Sequence, residues 1–232
     1  MKLRVLLLGL LAFALALLVV LPARWIGGLM PASVKCAQWR GTLWNGRCQQ
    51  LQVIVPGAPP IAIESAGWKL HPSALLRLKF SADVALTDSR GDATGSVELA
   101  RNGQLGLRGA SARALLSKQL FPVLPAGWNG RVEIQDLDFD WFDGMPRKVQ
   151  GELRVFDLRD INGRELGNYR ITFPPMDGPP FRGKVVDNGG PYEVDGELQI
   201  TAERRWVLEG KLKPRNGSAV AVESLSVSGS LD

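Results

Sequence analysis

Val5 to Leu21 constrains this chain more than any other stretch: seventeen residues without a charge or a proline. Extending it back to Leu3 adds only Arg4 as a charge. The hydrocarbon core of a bilayer takes a helix of about 20 apolar residues. The run therefore predicts one uncleaved transmembrane helix over residues 5–21, with a basic tail at residues 1–4. The alternatives are a removed export signal and a buried core helix. A signal has an apolar region of about 7–15 residues ending at a small-x-small site. Leu21-Pro22-Ala23-Arg24-Trp25 offers no good site. Trp25 follows the run where an indole suits the membrane interface.

The flanking charges do not orient the chain alone, since Lys2 and Arg4 precede the run and Arg24, Lys35 and Arg40 follow it. The cysteines bear on the compartment. Cys36 and Cys48 are the only two and enclose eleven residues. A disulfide between them fits an oxidising compartment such as the bacterial periplasm, and would stabilise a small loop by ~3 kcal/mol. Two unrelated buried thiols are the alternative. Zinc would need further ligands, and His71 is the only histidine.

The net charge of +5 is unevenly spread. Six Lys and Arg precede Glu64, the first acidic residue; the remainder holds 22 basic and 23 acidic residues. A basic excess beside an apolar run suits anionic headgroups. No broad basic face for nucleic acid is indicated.

Residues 22–35 read as a connector broken by Pro22, Gly27, Gly28 and Pro31. Beyond it, short alternating runs predict strands. Two strands joined at Asn45-Gly46 form a first hairpin, since Asn-Gly tolerates positive φ. Leu51, Val53 and Val55 share a face, and Ile61 and Ile63 open another run ending at Trp68 and Leu70. One helical turn is expected at His71-Pro72, where proline costs little. Phe80, Ala82, Val84 and Leu86 alternate, and Asn102-Gly103 turns a further hairpin. Ser111 to Leu120 reads as a helix, with Leu115, Leu116 and Leu120 on one side. Val132 and Ile134 alternate on one parity, and Leu137, Phe139 and Trp141 on the other, which places a bulge near Gln135 or Asp136. Gly151, Gly196 and Gly210 fall on the apolar faces of three alternating runs, and suggest a strongly curved sheet. Pro174, Pro175, Pro179 and Pro180 bracket a loop at Met176-Asp177-Gly178.

Catalytic motifs are missing. There is no phosphate loop, His-Glu-x-x-His or Gly-x-Ser-x-Gly pattern. His71, beside Pro72, reads as structural. Asp136, Asp138 and Asp140 alternate with apolar residues and, with Asp143, read as a solvated strand face, not a calcium loop. No catalytic, metal or cofactor-binding residue is assigned. Trp39, Trp44 and Trp68 are candidates for packing or for a partner-binding patch.

The basic tail, the apolar run, Gly41-Thr42-Leu43-Trp44-Asn45-Gly46, Gly67-Trp68-Lys69-Leu70-His71-Pro72-Ser73-Ala74-Leu75-Leu76 and Gly151-Glu152-Leu153 together resemble the N component of the type II (general) secretion pathway. The resemblance spans the chain and carries no catalytic signature. It implies a non-enzymatic accessory component of the inner membrane, serving export of folded proteins and contacting other inner-membrane subunits. The family's β-rich architecture is also similar to proteins that shield lipid in a groove, so a periplasmic lipid-handling or envelope-bridging protein is the alternative. The expected fold is all-β: an elongated, strongly curved antiparallel sheet with one or two short helices after one N-terminal transmembrane helix. A periplasmic domain over residues 36–232 follows the connector. Membrane lipid at the N-terminal helix and, on the alternative reading, lipid in the groove join the secretion subunits as expected partners.

Overall fold

The computed structural model describes residues 6–7, 9–10, 13, 16–17, 19–28, 30–54, 60–116, 127–203, 205–215 and 223–230. The chain divides into two compact units, Met1–Ser89 and Arg90–Asp232. Unit 1 holds a 3-10 helix at Ala23–Gly28, strands β1 (Val34–Gly41), β2 (Asn45–Val53), β3 (Ile61–Leu70) and β4 (Lys79–Asp88), and a short helix at Pro72–Leu75. Unit 2 holds β5 (Gly91–Ala100), β6 (Leu105–Leu115), β7 (Asn129–Phe142), β8 (Met145–Arg159), β9 (Glu165–Asp177), β10 (Phe181–Asp187), β11 (Tyr192–Ile200), β12 (Arg205–Pro214) and β13 (Glu223–Ser230). Within each unit the sheet is antiparallel and strand order follows chain order.

Two elements of the expected fold are corrected. The sheet is neither closed nor strongly curled: pairing joins sequence neighbours, and among the described residues of each unit only β9 and β11, on either side of β10, show appreciable contact between non-neighbouring strands. The glycines thought to bend it act locally. Gly196 stands opposite Gly210, where a Cβ would come within 2.7 Å of the Glu209 carbonyl oxygen, so these residues permit close strand approach. Gly151, at φ +143°, sits against Leu137 at a register shift between β7 and β8. Other strand glycines lie under aromatic rings. Gly46 is opposite Trp68, Gly229 is opposite Trp206, and a Cβ on Gly183 would strike the Phe173 ring. A ring laid across a glycine covers the backbone that the glycine exposes.

The second correction concerns the N-terminus. Among the described residues no helix is long and apolar enough to cross a membrane. The stretch 5–21 lies partly outside the described residues; Leu6, Leu7, Leu10, Phe13 and Leu17 within it are helical, with exposed side chains.

Local expectations met different outcomes. The bulge on β7 forms: Asp136 takes φ +48° where the register with β8 shifts between Gln135 and Asp138. The helix expected from Ser111 does not form, because β6 runs through Leu115 and pairs with both β5 and β7; residues 117–120 lie outside the described set. Asn45 and Gly46 belong to β2, and the turn falls two residues earlier, at Leu43-Trp44, with the Thr42 N–H donating to the Asn45 carbonyl at 2.9 Å. Pro174 and Pro175 lie inside β9. There the ladder to β8 skips between Gly151 and Val149 and the ladder to β10 has stopped at Thr172, so missing N–H groups cost little.

Unit 2 has one apolar and one polar face. Residues directly opposite across a ladder share a face. One apolar row runs Ala93, Ala112, Ile134, Leu153, Ile171 and Val185, and ends on Gly196 and Gly210. A neighbouring core gathers Leu116, Val132 and Leu158 with Trp128, Val155 and Tyr169 packed against it. On the polar face Glu133 stands between Arg113 (3.6 Å) and Arg154.

Candidate interaction surface

The tryptophans and cysteines singled out from sequence all lie in unit 1. Cys36 on β1 and Cys48 on β2 form a disulfide, and Cys48 is buried. Trp39 stands opposite Cys48 on the ladder and meets Trp68 of β3 edge-to-face, ring centroids 5.9 Å apart. Such a pair adds ~1 kcal/mol to the area it buries. The Trp68 indole N–H donates to the Leu43 carbonyl at 2.9 Å, tying the β1–β2 turn to β3. The Trp44 carbonyl accepts from the Leu70 N–H at 2.7 Å. All three rings are half-buried. They fix the turn in place and leave only part of each ring for a partner.

That turn collects further segments at the same end of unit 1. The Leu43 N–H donates to the Leu21 carbonyl at 2.7 Å, and Pro22 bridges to Thr42, so the apolar N-terminal stretch ends against the turn. The 3-10 helix that follows packs Gly27 near the Trp39 ring and buries Ala23, while Trp25 is 63% exposed. Leu70 leads into the short helix Pro72–Leu75, and the His71 N–H donates to the Ser81 carbonyl at 2.9 Å, which brings the start of β4 to this end. The His71 ring pairs with Asp83 at 2.8 Å.

Between that helix and β4 lies a feature that sequence reasoning missed. Leu75, Leu76, Leu78 and Phe80 are all exposed, Leu76 at 89% and Leu78 at 65%. Leu78 takes φ +54°, a left-handed conformation uncommon for a bulky side chain. The available signal was spacing: Leu75, Leu76 and Leu78 crowd one short stretch, more than one strand or helix face can bury. Arg77 and Lys79 alternate with them, exposed. Nearby, Arg40 stands directly opposite Arg47 across β1–β2, both exposed. Like charges so placed are unfavourable unless something anionic joins them.

The acidic residues of unit 1 do not offset this. Only Glu64, Asp83 and Asp88 fall within it, against nine Lys and Arg, a net of +6. Asp83 holds His71, and Glu64 accepts the Ser89 N–H at 3.2 Å. Away from the turn, a shallow depression of about 470 Å³ is bordered by Lys35, Cys36, Gln50, Leu51, Ile63 and Glu64. It brings together no nucleophile with a base.

The aspartates of unit 2 have structural work rather than the solvated-face role expected. Asp140 is buried and pairs with Arg108, whose guanidinium also donates to the Phe139 carbonyl at 3.3 Å. Asp138 accepts the N–H of Gly109 at 2.8 Å, and Gly109 at φ +54° marks the bulge of β6. Asp143 and Gly144 make the two-residue turn between β7 and β8, both at positive φ. Among the described residues no group of His, Cys, Asp and Glu could hold a metal ion.

The family model for type II secretion system protein N matches residues 32–229. The chain belongs to that family. No curated protein and no solved structure matches it. Membership gives the chain a role in type II secretion, among the machine's envelope-associated components, and marks it as non-enzymatic.

Proposed function

We propose that this chain is an accessory docking scaffold of the type II secretion system, held at the inner membrane with residues 36–232 in the periplasm, and that it contacts other inner-membrane subunits. The observation that carries this reading is the pair of outer strands: among the described residues β1 pairs only with β2, and β13 only with β12. An outer strand offers backbone groups to an extended segment of a partner, a common mode of docking. The Cys36–Cys48 disulfide and the apolar N-terminal stretch support the placement. Deleting the gene and measuring export of folded exoproteins tests the role, together with crosslinking from a photoreactive residue at exposed Ala37 on β1. Lost export with crosslinks to inner-membrane secretion subunits is expected. Unchanged export without such crosslinks would defeat the proposal.

One observation favours a lipid-handling reading instead: the apolar row of unit 2 that runs from Ala93 to Val185. Lipid retained stoichiometrically by the purified chain, and lost in Leu153→Asp or Leu198→Asp, would raise it above the scaffold.

A further inference from the structure

We infer that the end of unit 1 carrying the β1–β2 turn is a membrane foot that rests on anionic phospholipid. It does not rest on the docking reading, and it does not require the N-terminal stretch to span the bilayer.

Two kinds of side chain meet there. The apolar set is Leu75, Leu76, Leu78 and Phe80, exposed although unit 1 has buried positions such as Ala66 and Ala82 close along the chain. Leu78 closes the turn after the short helix at positive φ, its N–H on the Leu75 carbonyl at 2.9 Å, and that turn leaves its side chain in solvent. The basic set is Arg40, Arg47, Arg77 and Lys79, all exposed. No described acidic residue forms an ion pair with any of the four. Apolar side chains interleaved with cations suit a bilayer surface, where the first enter the acyl boundary and the second meet phosphate.

Lipid is favoured over an acidic protein groove by continuity. The apolar N-terminal stretch ends at Leu21, whose carbonyl is hydrogen-bonded to Leu43 in the turn. Leu6, Leu7, Leu10 and Leu17 within that stretch are exposed, and Trp25 follows with its indole exposed, as interfacial tryptophans are placed. A membrane that covers those side chains meets the turn next, and the segment 75–80 lies one backbone bond chain away through Trp44 and Leu70.

The test uses the full chain with vesicles of phosphatidylcholine, alone or with about a third phosphatidylglycerol, doped with a photoactivatable phospholipid. Labelled peptides are mapped by mass spectrometry. Labelling of 75–80 and of the turn at 42–44 is expected, besides any in residues 1–21. Each cation near an anionic surface contributes roughly fivefold in affinity. Arg40→Glu/Arg47→Glu/Arg77→Glu/Lys79→Glu should therefore lower the preference for phosphatidylglycerol by at least about tenfold. Leu76→Glu should abolish labelling at 75–80, whereas Ile161→Glu, at another exposed leucine-sized side chain in unit 2, should leave the pattern unchanged. Labels confined to residues before Pro22 overturn the foot. So does a foot variant that keeps its lipid labelling and loses crosslinks to a secretion subunit, since the surface would then belong to a protein partner. Export measured on the same variants keeps the readings apart: lipid labelling without any export defect on deletion would sink the scaffold and leave the foot standing.

Discussion

Units 1 and 2 are both antiparallel meanders, but they dispose of their charges in opposite ways. Unit 2 carries 19 basic and 20 acidic residues and joins many of them to one another. Asp140 meets Arg108, Asp157 meets Arg131 at 2.7 Å, Asp187 meets Arg215, and Asp160 caps two backbone N–H groups of its own loop at 2.9 Å. Unit 1 has three acids for nine cations and leaves Arg40 facing Arg47. It relies instead on one covalent clamp and a tryptophan pair around its first turn. The difference teaches that unit 2 is electrostatically self-sufficient, whereas unit 1 keeps charge for something outside itself.

The largest expected effect breaks the clamp. Replacing Cys36 and Cys48 by serine should destabilise unit 1 by ~3 kcal/mol, the chain-entropy contribution of a loop this size. Amide exchange in β1–β3 should accelerate by roughly a hundredfold, with β6–β9 unchanged. Equal acceleration in both units would erase the distinction between them.

The buried ion pair of unit 2 comes next. Asp140→Ala removes the partner of Arg108, which is a third exposed and so partly rehydrates. A loss of ~2 kcal/mol is expected, below the roughly 3–5 kcal/mol of a fully buried pair because of that exposure. Arg108→Met/Asp140→Leu should recover part of it, since apolar replacements leave no buried charge. Denaturant unfolding read in unit 2 measures both, and a double variant worse than Asp140→Ala would mean that the pair is net stabilising.

Trp68→Phe should cost unit 1 about 1–2 kcal/mol, by losing the indole hydrogen bond to Leu43 and weakening the edge contact with Trp39. If the ring served only a partner, the free protein would unfold as wild type does, and binding alone would suffer.

Much of this architecture was legible in the sequence because alternation reports which face a strand buries. The parity change between Ile134 and Leu137 located a real bulge at Asp136. Helix and strand signals were confused at Ser111–Leu115, where Ala, Arg and Leu suit a helix, yet pairing on both sides with β5 and β7 decides for strand. The aspartates misled for a related reason. Alternation said that Asp138 and Asp140 face away from the core, but it could not show that β6 would bulge at Gly109, setting the Gly109 N–H against Asp138 and Arg108 against Asp140. Glycines on an apolar face are ambiguous in the same way, since bending, close approach and a covering ring all leave the same letter. The membrane foot was least legible: the crowding of Leu75, Leu76 and Leu78 is plain, but their exposure follows only from where β4 begins.

The smallest effect concerns pH and sharpens the contrast, because both tyrosines, Tyr169 and Tyr192, lie in unit 2. The Tyr169 hydroxyl donates to the Leu166 carbonyl at 2.6 Å, and its ring packs on the Leu116–Val132–Leu158 core. Burial raises its pKa above the usual phenol value of 10.0, with the negative charges of Tyr192 and Asp187 pushing the same way. The sign follows from which state holds the proton longer. Below pH 10 both folded and unfolded phenols are protonated, and the shift contributes nothing. As pH rises past 10 the unfolded phenol ionises first, so stability falls until the folded group also titrates. Tyr169→Phe should cost ~1 kcal/mol at pH 7 through the lost hydrogen bond and should make the decline above pH 10 shallower. Urea unfolding of both proteins between pH 8 and 11, read in unit 2, gives the two slopes. Parallel slopes would remove Tyr169 as the source, and a tyrosine-linked decline read in unit 1 would contradict the separation of the units, since that unit has no phenol to titrate.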